Sequence, residues 1–157
     1  MSNTKGGIAV GTESKWSGLY NHSDSYPTSL GRNLWDTISE KGLNTVVNEI
    51  KRKINPTDGV KEDIELSEKE KNPLFIEWIY VINPEKKIIS ILVSVRKKGT
   101  HKERGVEGEY EAPNYEHELI DTYKLTDPPP NWEQVEKLGN VMKDFADQKY
   151  EIRKMRA

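Results

Sequence analysis

Two apolar runs joined by a short polar connection constrain this chain more than any other feature. Residues 74–82 and 88–95 are rich in β-branched and aromatic side chains, and Asn83-Pro84-Glu85-Lys86-Lys87 between them has hairpin length. Apart from Glu77, Ser90 and Ser94, both arms are apolar at every position. Side chains alternate between the faces of a strand, so neither arm keeps a side for water. Such a pair belongs in the middle of a sheet, with something packed on each face.

The flanking segments supply the rest of the sheet and its cover. Gly7-Ile8-Ala9-Val10-Gly11 reads as a buried strand, and residues 16–20 as a second strand antiparallel to it across the polar turn 12–15. A helix is predicted after Pro27, with Thr28 or Ser29 as N-cap. Its apolar stripe is Leu30, Leu34 and Ile38, widened by Trp35, and Gly42 is placed to stop it. Leu43, Val46, Val47, Ile50 and Ile54 then follow at helical spacing, up to Asn55-Pro56. Residues 118–125 form a last strand, stopped by Asp127-Pro128-Pro129-Pro130. Asn131 caps a final helix, Gln134 completes a capping box, and Trp132, Val135, Leu138, Met142 and Phe145 make its apolar face. The charged stretches 58–72 and 97–116 are expected to be exposed loops, the first held down by Ile64 and Leu66. The order β-β-α-α-β-β-β-α predicts an α+β fold, an antiparallel sheet with helices packed mainly on one face.

The chain has 157 residues, which fits one domain, 1–157, large enough to bury about two-thirds of the surface its unfolded form exposes. Its 24 basic and 26 acidic residues interleave and sum to −2, so no overall field points to nucleic acid or to an anionic membrane. The basic end, Arg153-Lys154-Met155-Arg156, reads as a solubilising tail. Without cysteine there is no disulfide scaffold, thiolate zinc site or cysteine nucleophile. The first residues lack the apolar core of a secretory signal, and no apolar run is long enough to span a bilayer, so a cytoplasmic location is expected.

Chemistry concentrates between Tyr20 and Gly31. In an extended segment His22, Asp24 and Tyr26 point the same way, beside a helix N-terminus at Thr28-Ser29. Such a cluster can hold a phosphate or carboxylate, or let His22 act as a general acid or base oriented by Asp24. Asp24 can equally close an Asx-turn, with Tyr26-Pro27 anchoring the helix and His22 in water. A metal would need His101 or His117 as a distant third ligand, which spacing does not support, so neither metal nor cofactor is expected. Thr4 and Lys5, just before the first strand, can line a pocket or fray as a terminus. No glycine-rich phosphate loop or Gly-x-Ser-x-Gly elbow occurs. Trp78 and Tyr80 share one strand face, an arrangement typical of a core.

Asn3-Thr4-Lys5-Gly6-Gly7-Ile8-Ala9-Val10 is similar to the Gly-Thr-Arg-Gly-x-Ile-Ala-Val opening of a family of small uncharacterised proteins of phages, bacteria and fungi. That family's second hallmark is a tyrosine, two residues, Trp-Asp-Gly-Tyr-Pro, and a glycine four residues on. Tyr20, Asp24, Tyr26, Pro27 and Gly31 match it, while Ser23 replaces the tryptophan, Ser25 the glycine, and Lys5 the arginine of the opening. Residues 77–83 resemble its third hallmark, a strand reading Glu-Tyr-x-Tyr-Val-Ile-Asp. The resemblance implies a fold and a candidate site over Tyr20–Gly31, but no reaction; together with the residue cluster described above, the expected ligand-binding residues are Thr4, Lys5, Tyr20, His22, Asp24 and Tyr26.

The expectation from these features is a small intracellular binding protein, a phage-related or accessory factor that captures a small anionic ligand or a partner protein. The alternative is a hydrolase or transferase acting on a phosphate-containing small molecule, with His22 and Asp24 as its acid–base pair. Oligomeric state, and whether the chain is an enzyme at all, stay open at this point.

Overall fold

A computed structural model describes residues 4–61, 64–69 and 75–156, with side chains as far as Tyr150. The protein is α+β. The strands are β1 (Gly6–Thr12), β2 (Lys15–Asn21), β3 (Glu65–Ser67), β4 (Trp78–Asn83), β5 (Ile88–Gly105) and β6 (Gly108–Lys124). The helices are α1 (Arg32–Lys41), α2 (Leu43–Ile54) and α3 (Trp132–Arg156), α1 being led in by a π-helical turn at Pro27–Gly31. The strands lie in the order β3-β2-β1-β4-β5-β6.

β4 and β5 form the expected central antiparallel pair, in register from Trp78↔Val93 to Asn83↔Ile88. Asn83 closes their turn by accepting the Lys86 N–H at 3.2 Å. Leu74, the expected start of this arm, lies outside the described residues. Both faces are dry, as the composition of the arms demands. Trp78, Tyr80, Ile82, Ile89, Ile91, Val93 and Val95 pack under Leu34, Trp35 and Ile38 of α1, Val46, Val47 and Ile50 of α2, and Trp132 and Val135 of α3. Ile79, Val81 and Leu92 point the other way, into a smaller core with Ala9, Trp16, Leu66 and Ile76. Among the described residues no helix contributes to that second core. It is closed by curling of the sheet, which brings Trp16 of β2 edge-on to His117 of β6 with ring centroids 6.4 Å apart.

Several expectations are corrected. The sheet is mixed rather than antiparallel, because β1 runs parallel to β4 from Gly6↔Trp78 to Val10↔Ile82. The long connection through α1 and α2 permits a parallel partner that a hairpin cannot reach. Within the 58–72 stretch, Glu65–Ser67 forms an additional edge strand whose Leu66 is buried, while Ile64 is exposed and holds the chain through its carbonyl, which accepts the Tyr20 N–H at 2.9 Å. The 97–116 stretch is not a loop. β5 and β6 continue through it as a two-stranded ribbon that turns at Gly105↔Gly108, where Gly108 adopts φ 116°. Polar cross-strand contacts replace apolar ones there, among them Lys97 with Glu118 and Thr100 with Glu111.

The helix ends also differ. Neither Thr28 nor Ser29 is an N-cap; the turn begins after Tyr26, with proline in its first turn and no side-chain cap. Asn131 does cap α3, accepting the Gln134 N–H at 3.2 Å. The buried face of α3 is Trp132, Val135 and Gly139, with Met142 and Ala146 partly buried, so the expected members Leu138 and Phe145 are exposed. Close approach selects this face, since a Cβ on Gly139 would sit 2.5 Å from the Trp78 ring. Helical backbone also runs on to Arg156, through the basic end read as a tail.

Candidate functional site

The segment rich in site-like residues is where β2 hands the chain to the helices. Gly6 of β1 lies against it, and a Cβ there would come within 2.5 Å of the Trp78 carbonyl oxygen and 2.6 Å of Ser25 Cβ. Ser25 is wholly buried and is held from three directions. Its N–H donates to the Thr4 carbonyl at 3.2 Å, its carbonyl accepts the Tyr80 hydroxyl at 2.6 Å, and its hydroxyl lies 2.8 Å from Asn21 Nδ2. The turn is thus satisfied by the protein's own groups, as buried backbone requires.

The structure brings together only part of the expected cluster. Asp24 has φ 50°, a left-handed conformation that aspartate tolerates, so 22–26 is not an extended run with its alternate side chains aligned. Asp24 and Tyr26 do meet, the Tyr26 hydroxyl lying 3.4 Å from Asp24 Oδ1. Tyr26 packs on the helix-side core, whereas Tyr20 packs on the core of the opposite face. His22 is exposed. Thr4 and Lys5 offer backbone, the Lys5 carbonyl accepting the Glu77 N–H at 2.8 Å.

The helix start that was expected to attract an anion has a carboxylate of the chain beside it. Glu136 of α3 accepts the Thr28 N–H at 3.3 Å and the Thr28 hydroxyl at 2.9 Å. The Asp24 carboxylate, assisted by burial and by Glu136, holds the Tyr26 phenol above its usual range. Electrostatically, this turn discourages a further negative charge.

A larger concavity opens beside α2, a groove of about 940 Å³. Its floor is Val10 of β1 and Ser17 of β2, and its wall is Thr45, Asn48, Lys51, Arg52, Ile54 and Asn55. Among the described residues this lining presents two cations, two amides and two hydroxyls, with no carboxylate and no imidazole. The cations also offset the carbonyl end of α2. None of Thr4, Lys5, Tyr20, His22, Asp24 and Tyr26 lines the groove. The sequence carried a signal for it. Thr45, Asn48, Arg52 and Asn55 recur at helical spacing beside the apolar stripe of an amphipathic helix, a pattern easily taken for an ordinary solvated face.

The chain matches no protein-family model, no curated protein and no solved structure. Among the described residues no group of three or more His, Asp or Glu side chains is placed to hold a metal. Nor is any helix of the described residues long and apolar enough to cross a membrane.

The histidine in the most polar setting is His101, on the β5–β6 ribbon. Its Nε2 lies 2.7 Å from Glu103 Oε1 and its Nδ1 2.7 Å from Asn114 Oδ1. Oxygen acceptors at both ring nitrogens favour the imidazolium, so Glu103 first and Asn114 second raise its pKa above the ordinary value. Glu103, which also accepts the Tyr110 hydroxyl at 2.8 Å, is held below its usual range chiefly by His101. This cluster braces the ribbon.

Proposed function

We propose that this protein binds a small anionic ligand without transforming it, and that the ligand sits in the α2 groove rather than at the Tyr20–Tyr26 turn. One observation carries this reading: the groove gathers Lys51 and Arg52 with the amides of Asn48 and Asn55 and the hydroxyls of Ser17 and Thr45, with no acidic side chain among its described lining residues. Guanidinium and ammonium groups supply charge, Arg52 can present a bidentate fork, and amides and hydroxyls supply orientation. The described lining has no imidazole and no carboxylate, which supports capture over acid–base chemistry. A phosphorylated or carboxylated small molecule suits the groove. The resemblance to the phage, bacterial and fungal family supports placing the protein as an accessory factor, and the hydrolase or transferase alternative would instead need substrate seated against His22 and Asp24.

Titration of the labelled protein with inorganic pyrophosphate and with citrate, followed by amide chemical shifts, tests this. Saturable shifts at Asn48, Arg52 and Asn55 are expected. Arg52→Gln should weaken binding about tenfold, as for loss of a charge-assisted hydrogen bond of ~1.5 kcal/mol. His22→Ala should leave binding unchanged. Shifts centred on residues 20–26, or no saturable shift, would refute the groove.

A further inference from the structure

α3 carries a second apolar stripe that nothing in the described structure covers. Leu138, Val141 and Phe145 are 43%, 58% and 71% exposed, on a flank adjoining the face that seats Gly139 against Trp78. At helical spacing these three share one side, and Gln134 and Gln148, both exposed, extend it by one turn each way. The stripe therefore reads Gln134, Leu138, Val141, Phe145, Gln148, polar at its ends and apolar in the middle, with steps of four and three residues alternating. It is nearly palindromic about Val141. Reversing the helix places Leu138 where Phe145 was and Gln134 where Gln148 was.

We propose that this stripe is the seat of a second copy of the chain, the two α3 helices packing antiparallel across a two-fold axis at Val141. An isologous interface requires one patch to complement itself on reversal, and this pattern does so. Charge agrees with shape. Lys137 and Asp144 lie on the same flank of the stripe, both exposed, and reversal sets Lys137 of each copy opposite Asp144 of the other. A parallel arrangement would instead place the two copies of this flank on opposite edges of the interface and form neither pair. Steps of three and four residues are those by which antiparallel helices interdigitate. Covering the exposed parts of the three apolar side chains on both copies removes on the order of 600 Å² from water, which with the flanking residues matches a reversible dimer rather than an obligate one.

Sedimentation velocity of the full chain over a concentration series is the first test, with a monomer–dimer equilibrium expected. Val141→Asp and Phe145→Ser should each abolish the dimer while leaving thermal unfolding of the monomer unchanged, because both side chains are largely in water already. Lys137→Glu or Asp144→Lys alone should weaken association about two- to fivefold, and the double reversal should restore it. The chain has no cysteine, so register can be read directly. Under mild oxidation Val141→Cys should form a disulfide-linked dimer. Gln134→Cys should cross-link only when mixed with Gln148→Cys. A chain that stays monomeric at millimolar concentration, a dimer that survives both Val141→Asp and Phe145→Ser, or cysteine variants that fail to cross-link would overturn the proposal.

Discussion

Tyr80→Phe tests the core and the site-like turn with a single oxygen atom. Tyr80 is 0% exposed in the middle of β4, and its hydroxyl donates to the Ser25 carbonyl at 2.6 Å. Phenylalanine keeps the ring and opens no sizeable cavity, so the loss is that of one buried hydrogen bond. Leaving a buried carbonyl short of its donor costs ~1–3 kcal/mol, and at pH 7 the variant should be less stable by that amount in urea unfolding. The alkaline limb sharpens the test. Burial, with a smaller contribution from Glu136, pushes the Tyr80 phenol well above its ordinary value of 10.0. A proton held more tightly in the folded state gives stability that is complete below the unfolded pKa. As pH rises past about 10, the unfolded chain releases the proton first and stability falls by up to ~1.4 kcal/mol per pH unit from this group. Tyr80→Phe removes that contribution, so the stability gap between wild type and variant should close as pH rises from 9 to 11. A gap that is constant across this range would show that the Tyr80 hydroxyl is not buried in the folded protein, and the account of the turn would fail with it.

Ile79→Ala and Ile91→Ala empty sites that are 0% exposed on opposite faces of the sheet, and each should cost ~2–5 kcal/mol in chemical denaturation. A small loss at Ile79 alone would mean that curling does not close the second core. Glu136→Ala should cost ~1–2 kcal/mol by removing the acceptor of the Thr28 N–H and hydroxyl, measured as a lowered midpoint at unchanged slope. His101 should titrate above 6.5 by NMR and return towards that value in Glu103→Gln. Because its folded-state pKa is raised, its contribution to the ribbon is complete below about 6.5 and is lost as pH climbs through the raised value, so amide protection of residues 100–113 should fall over that interval. A His101 that titrates at or below 6.5 would contradict the bracing role.

The fold was legible where a segment's own composition settles its surroundings. β4 and β5 had no polar face to offer water, so their central place followed from the residues alone, and Gly42 marked the break between α1 and α2. What escaped depends on partners remote in sequence. β1 has the same short apolar character whether its second neighbour is parallel or antiparallel, and only the route of the chain through α1 and α2 decides. Thr28 reads as a cap because the carboxylate that binds its N–H and hydroxyl comes from Glu136, which lies 108 residues away. On α3 the apolar residues at helical spacing fill two neighbouring flanks, and the seat of Gly139 on Trp78 selects which one is buried. For the ribbon the signal was the wrong kind: residues 97–116 lack apolar alternation because their cross-strand pairs are charged and polar.

The cluster around Asp24 has the residue types of a ligand site for a similar physical reason. Turns that join a sheet to a helix across a buried carbonyl need small polar side chains, a residue that tolerates positive φ, and an aromatic anchor. Asn21, Ser25, Asp24 and Tyr26 supply these, and the hydroxyl of Tyr80 completes the arrangement from within the sheet. A ligand site draws on the same residue types, so composition cannot separate the two. What separates them is whether the polar groups end on one another or face a cavity. At the turn the Ser25 hydrogen bonds close on the protein itself and two carboxylates crowd the phenol, whereas along α2 the amides, hydroxyls and cations of Asn48, Asn55, Thr45 and Arg52 face an open groove. The charge of the two places differs as well, with carboxylates around the phenol at the turn and cations along the described lining of the groove.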